Sequence, residues 1–353
     1  MPNPSSLTLN YDAVLSTTLF NLHKQGVIED QISTSNSVLF MIMKKNESYK
    51  GTASGDRMQV NLMYELGQAD SYSGYDVLDT TPRDGITSAF FNWSQASVPI
   101  AISGLEERKN RESETRIQNL LEAKTKQALL GLQEFWNKGL LQGNRGSAIT
   151  TAYTSGVNGS TFIDPLPLLV KYDPTSSTTI GNINQSTYTW WRNQFKNSGA
   201  ATFAAFLKEI DNLYNNCSKG AGGSPDLMIA DQNVVEFYTA ALRSQNQFTQ
   251  YQTADIPFNN VLLKGKPLTW DEFVPDAAGD SITQSTTSGT LWMLNTKYFE
   301  IQYFPDVNFT PTAFMKPENQ DAKVAHIMWN GGLGVSNRRK HGVMGSIDTT
   351  VTS

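Results

Sequence analysis

Few residues of this chain combine a type and a spacing that do chemistry. His326 and His341 flank the last two apolar segments, and His23 lies far away in sequence. A metal site needs a third ligand near such a pair, so they read as strand residues with satisfied ring nitrogens. Cys217, the single cysteine, follows Asn215-Asn216 with no Cys-His pattern around it and reads as structural. Asp76, Asp79 and Asp84 suggest a cation loop, but they lack the calcium-loop pattern and read as turn-forming acids. Gly331-Gly332-Leu333-Gly334 lacks the Gly-Lys-Ser/Thr ending of a phosphate loop and is expected to be a strand-to-strand turn needing positive φ. Arg338-Arg339-Lys340 is a basic triplet that could touch nucleic acid, form a solvated turn or make an intersubunit ion pair. No serine sits in a Gly-x-Ser-x-Gly elbow, and no carboxylate pair has a catalytic context. The expectation is a protein without catalytic residues, cofactor or metal.

Composition points the same way. The chain has 353 residues, of which 39% are hydrophobic, so it can bury a large core in one to three domains. Only 17% are charged, below the roughly 25% usual in soluble domains. A polar but weakly charged surface suits large contact areas, because charge is depleted from interface cores. The net charge of −5 argues against a dedicated nucleic-acid binder. Residues 1–10 resemble no secretion signal, and no run approaches the roughly 18 apolar residues of a membrane span. A reducing cytosol is expected.

The most organised segment is 103–142. Ser103-Gly104-Leu105-Glu106 has the form of a capping box. Glu107/Arg111, Glu112/Arg116, Glu122/Lys126 and Glu134/Lys138 then pair at i,i+4 with the acid first. Ile117, Leu121, Ala128, Leu132 and Phe135 trace one apolar stripe, and Gly143 sits where a stop is expected. Such a rod would be about 55–60 Å long, against a mean helix of about 11–12 residues. Residues 1–50 read as an N-terminal arm with a short helix over Tyr11–Gly26. Residues 51–86 are rich in turn residues and make sense as an arm that packs on something else. A strand over 89–102 follows, with Pro99 suggesting a sheet edge. Further on, a helix over Ala200–Asn215, a buried strand at Asp226–Ile229, a helix capped by Asp231, and strands at 291–294, 298–304, 324–329 and 342–347 are predicted. This mixed order fits α+β rather than α/β.

The order of these segments resembles the major capsid proteins of tailed bacteriophages, the Hong Kong phage-type capsid fold. Tyr75-Asp76-Val77-Leu78-Asp79, Ala89-Phe90-Phe91-Asn92-Trp93 leading to Val98-Pro99-Ile100, the helix beginning Gly104-Leu105-Glu106-Glu107, and the closing Trp329 to Gly342 carry the likeness. The resemblance implies an N-terminal arm at 1–50 and an extended loop at 51–88. It implies a peripheral domain made of 89–144 and 321–353 with a spine helix at 104–142, and an axial domain at 145–320. The implied function is geometric: hexamers and pentamers close into an icosahedral shell around double-stranded DNA, with no catalytic residue to transfer. The chain reaches the extended loop after about fifty residues, too few for a built-in scaffolding segment. A separate scaffolding protein is therefore implied, along with a portal and a decoration protein as possible partners. The implied location is the virion, with assembly in the bacterial host cytoplasm.

From Asp56 to Asp84 there are six acids against two bases, so the arm needs a basic partner surface. The expected contacts are Asp56, Arg57, Tyr64, Asp70, Tyr72, Tyr75, Asp76 and Arg83 on the arm. On the helix they are Arg108, Lys109, Arg116, Lys124 and Lys126. Tyrosines are the type of anchor that dominates interface energetics. No lysine lies between Lys50 and Lys109, so an arm-borne isopeptide cross-link is not expected. The alternative is an encapsulin-like bacterial compartment shell, which shares the fold but packages enzymes. A third reading is an enzyme or binding module built on the Gly220–Gly223 or Gly331–Gly334 loops.

Overall fold

A computed structural model describes residues 49–50, 55–67, 69–77, 81, 84–109, 114–142, 163–220, 222–244, 261–274 and 288–351. Fourteen strands and five helices are found among them. The strands are β1 (Tyr49–Lys50), β2 (Met58–Met63), β3 (Ile86–Phe91), β4 (Ser94–Ser103), β5 (Thr179–Ile180), β6 (Ile183–Asn184) and β7 (Gln194–Asn197). They continue with β8 (Leu227–Ala230), β9 (Val261–Leu263), β10 (Lys266–Trp270), β11 (Ser288–Leu294), β12 (Phe299–Pro311), β13 (Ala322–Val335) and β14 (Gly342–Asp348). The helices are α1 (Gly104–Lys109), α2 (Glu114–Gln142), α3 (Leu166–Leu169), α4 (Phe203–Ser218) and α5 (Gln232–Ser244). The expected Tyr11–Gly26 helix lies outside the described residues. The chain forms two compact units. Among the described residues the first comprises 96–109, 114–136 and 306–329, and the second comprises the others.

In the first unit the long helical segment begins at the predicted capping box. Ser103 Oγ accepts from the Glu106 amide at 3.2 Å, and Glu106 Oε2 accepts from the Ser103 amide at 3.0 Å. Helix is described on both sides of residues 110–113. The 29 residues of α2 make a rod of about 43 Å. Its buried stripe runs Ala128, Leu132, Trp136, whereas Phe135, assigned to the stripe from sequence, is 41% exposed. The i,i+4 steps from Ala128 favour position 136. There the indole packs edge-on against Trp329 of β13, with ring centroids 4.4 Å apart. The sheet order is β1-β12-β13-β4, which puts β4 and its Pro99 at an edge as expected.

The second unit is built on a mixed six-stranded sheet in the order β7-β14-β11-β8-β10-β9. All four residues of β8 are buried, in keeping with a strand covered on both faces. α4 carries Phe206, Ile210, Leu213 and Cys217 inward at helical spacing, and Thr202 Oγ1 accepts from the Ala205 amide at 3.3 Å as its cap. α5 starts behind Asp231, whose carboxylate accepts from the Asn233 amide at 3.3 Å. Phe206, Met228, Val234, Phe237, Leu268, Met293 and Met344 share one core with them. The last strand, β14, pairs with β11 and β7 in this sheet. Its four consecutive buried residues, Gly342–Gly345, suit a central strand and not a half-exposed one.

The segment read from sequence as turn-rich instead opens with a hairpin. β2 and β3 pair antiparallel from Met58↔Phe91 to Met63↔Ile86. Met58, Val60 and Leu62 face inward, and Gln59, Asn61 and Met63 face out. The single strand expected over 89–102 is two, β3 and β4, broken at Asn92-Trp93. The Gly331–Gly334 run also differs from expectation: it lies inside β13, and none of its glycines has a positive φ. Close approach explains it. A Cβ on Gly334 would stand 2.8 Å from Met58 Cε and 3.0 Å from Phe91 Cδ2, so both side chains would have to shift for the hairpin to lie against β13.

Candidate assembly surface

From the last pair of the hairpin outward, the chain offers apolar side chains to solvent. Met63, Leu66, Tyr72, Tyr75, Val77 and Ile86 are all more than half exposed. A concentration of this kind marks an interaction surface, because single chains rarely leave such patches uncovered. The base of the loop is held. The Tyr64 amide donates to the Gly85 carbonyl at 3.0 Å, its hydroxyl donates to the Asp84 carbonyl, and its ring stacks on Trp190 at 4.9 Å. Further out, Asp76 closes a turn: its carboxylate accepts from the Ser73 amide at 2.7 Å, and its own amide donates to the Ser73 carbonyl at 2.9 Å.

The other arm residues divide by surroundings. Asp56, fully exposed, pairs weakly at 3.9 Å with the half-exposed Arg57. Asp70, Tyr72 and Tyr75 are exposed. Arg83 and Asp79 lie outside the described residues. Tyr64 therefore serves the arm's own base, while Tyr72 and Tyr75 point outward.

On the helical face of the first unit, two of the expected cations already have acids. Lys124 Nζ lies 2.9 Å from Glu106 Oε2 and 2.9 Å from the Ala101 carbonyl, so it reinforces the capping box. Arg108 pairs with Asp321 at 3.1 Å, and Lys316 approaches the same carboxylate at 3.6 Å. Lys126 is exposed, with no ion pair among the described residues. Lys109 and Arg116 lie on α1 and α2, with side chains outside the described set.

Two of the three residues of the basic triplet face inward, away from the roles considered from sequence. Arg338 and Lys340 are buried, with Arg339 exposed between them. Arg338 donates to the Leu169 carbonyl at 2.7 Å, the Trp191 carbonyl at 2.8 Å, Gln185 Oε1 at 3.1 Å and Asn193 Oδ1 at 3.0 Å. Burial lowers its guanidinium to about 9, still charged at neutral pH. Lys340 is ringed by backbone carbonyls. A charge run followed at once by the buried strand β14 was the only sequence signal of this. The Lys124–Glu106 pair, eighteen residues apart, left none.

Neither His341 nor Cys217 is poised for chemistry. His341 Nδ1 accepts from the Asn295 amide at 3.2 Å, and burial with the nearby Arg338 charge pushes its imidazole down to about 3. Burial pushes the Cys217 thiol up to about 12. Among the described residues, no three His, Cys, Asp or Glu gather where a metal ion could bind, and no helix is long and apolar enough to cross a membrane.

The fold has clear counterparts. The capsid subunit of cyanophage A-1(L) aligns over 93% of this chain and 99% of its own, with TM-score 0.57 at 12% identity. The capsid protein of a native GTA particle aligns over 98% and 100%, with TM-score 0.53 at 10% identity. The SrpI encapsulin of Synechococcus elongatus PCC 7942, in its holo complex, aligns over 96% and 97%, with TM-score 0.56 at 10% identity. No protein-family model and no curated protein sequence matches the chain. These likenesses establish the Hong Kong phage-type capsid fold, with its mixed helix and sheet content, for this chain.

Proposed function

We propose that this chain is a structural shell subunit, the major capsid protein of a phage-type head. Hexamers and pentamers of it close into an icosahedral shell around double-stranded DNA, and it performs no catalysis. The observation that carries this reading is the capsid-type alignment across nearly the whole chain, with both partners covered almost end to end. The exposed apolar loop supports it, since such a loop needs a neighbouring subunit to cover it. In this reading residues 51–88 are the extended loop, α1 and α2 form the spine helix, and the six-stranded unit gathers about the capsomer axis. Tyr72, Tyr75, Asp56, Asp70 and Asp76 meet a neighbour's Lys126, Lys109, Arg116 and Arg108. A separate scaffolding protein directs assembly in the host cytoplasm, and a portal and decoration protein complete the virion.

The test is electron microscopy of the purified chain, produced with and without a candidate scaffold. Closed shells or capsomer rings are expected. A monodisperse monomer at high concentration, with its loop protected from protease, would sink the proposal. The likeness to an encapsulin complex supports a second reading, a bacterial compartment shell. Cargo separates the two: nuclease-protected DNA inside particles from the native source supports the head, and a packaged enzyme supports the compartment.

A further inference from the structure

We propose that the loop at the end of α4 is a binding site for a monovalent cation of ammonium size, occupied in this protein by its own Lys340. The ammonium sits among four backbone oxygens: the carbonyls of Lys219 at 2.9 Å, Gly220 at 3.1 Å, Gly223 at 3.4 Å and Ser218 at 3.5 Å. Among the described residues no carboxylate pairs with it. Four acceptors face three N–H donors, so one oxygen is served by charge alone, as around a bare ion. The residue as a whole is only 3% exposed.

Two features build this cage. Ser218 ends α4, and the last carbonyls of a helix lack intrahelical donors and carry the negative end of its dipole. Gly220, Gly222 and Gly223 then all take positive φ, which folds the following carbonyls back toward the helix end. The loop is also held without the lysine. The Tyr298 hydroxyl donates to the Gly222 carbonyl at 3.2 Å, and Asn295 Nδ2 donates to the Gly222 and Ser224 carbonyls at 3.4 and 3.1 Å. These bonds fix Gly222 and Ser224, the residues on either side of the Gly223 carbonyl, independently of the lysine. A ring of carbonyls that replaces a hydration shell suits potassium or ammonium. The glycine loop thus has a ligand, but the ligand is part of the chain.

Emptying the cage tests the proposal. Lys340→Ala removes the tethered ammonium and should let a free ion take its place. Thermal melting of this variant is compared in potassium, ammonium and choline chloride at equal concentration. A rise of about 2–4 °C in potassium or ammonium over choline, absent in the wild-type protein, is expected. Equal melting of the folded variant in all three overturns the site. If the variant folds only with potassium or ammonium present, the site is supported. If it folds in none, reductive methylation of the wild-type chain with mass spectrometry decides. Lys340 should stay unmodified while Lys264, 43% exposed at its side chain, is methylated. Methylation of Lys340 at the rate of Lys264 would overturn the cage.

Discussion

Tyr64 lies face to face with Trp190, ring centroids 4.9 Å apart and planes 15° from parallel. The contact starts a row of rings. Trp190 meets Trp191 at 5.7 Å, and the Arg338 guanidinium lies 5.6 Å from the Trp191 ring. The base of the exposed loop is thus tied through two indoles to a buried cation that grips four oxygens. The loop leaves the body from an anchored point.

Replacing Tyr64 with Ala should free the loop more than it weakens the fold. Aromatic pairs of this geometry contribute about 0.5–1.5 kcal/mol beyond their buried area. Melting should therefore fall slightly, while protease cuts within 64–77 accelerate and the yield of assembled particles drops. Tyr64→Phe, which keeps the stack, should stay close to wild type in both assays. Unchanged cleavage in Tyr64→Ala would show that the stack does not anchor the loop.

Two neighbouring lysines on α2 should respond very differently to charge reversal. Lys124→Glu sets two carboxylates against each other over the buried Glu106 and should cost about 2–4 kcal/mol in chemical denaturation. Lys126→Glu should alter stability by less than about 0.5 kcal/mol, because the side chain is exposed. Only the second variant isolates docking, and it should slow particle formation at low ionic strength. Normal assembly of Lys126→Glu under those conditions counts against electrostatic docking at this residue.

His341 makes the folded chain acid-sensitive. Its imidazole titrates near 3 when folded and near the ordinary 6.5 when unfolded. Above 6.5 both states are neutral and stability is full. As pH falls below 6.5 the unfolded chain binds a proton that the folded one refuses, at up to about 1.4 kcal/mol per pH unit until about pH 3. Asp164 acts with the opposite sign. Burial raises its carboxyl to about 7, so its contribution is full below the ordinary 3.8 and is lost as pH rises through 7. Urea midpoints from pH 4 to 7 should show a flatter acid decline in His341→Gln and a steeper one in Asp164→Asn. Parallel curves for all three proteins would remove both groups from the pH response.

Assembled particles should hold together without covalent links from the arm. Gly51 to Arg108 contains no lysine, so the arm has no amine to attack a carboxamide. Boiled particles should run as one band near 39.1 kDa in denaturing electrophoresis. A ladder of oligomers traced by mass spectrometry to residues 51–108 would contradict this.

Elements whose signals are local were legible in sequence. Phe206, Ile210 and Leu213 announce α4 within one window, and Asp231 announces α5. The capping box at Ser103–Glu106 was equally readable, because its partners stand three residues apart. Contacts that close over long separations were not. Gly334 is small because Met58 lies against it, and Lys340 is buried because α4 ends beside it; neither neighbour is near in the chain. The β2 strand is an intermediate case. Its Met58-Val60-Leu62 alternation is a genuine strand pattern, outweighed by the turn residues that follow. The acids and tyrosines of the loop suggested an arm, but its anchor on Trp190 left no sequence signal, since the two rings lie over a hundred residues apart.

Pro99 has a consequence beyond marking where the four-stranded sheet ends. β4 pairs on one side only among the described residues, and an unpaired strand edge is a template onto which another strand can zip. A proline there removes one of the donors such zipping needs. In the shell proposed above, whose copies would crowd together before each finds its place, that missing N–H would help keep crowding from becoming precipitation.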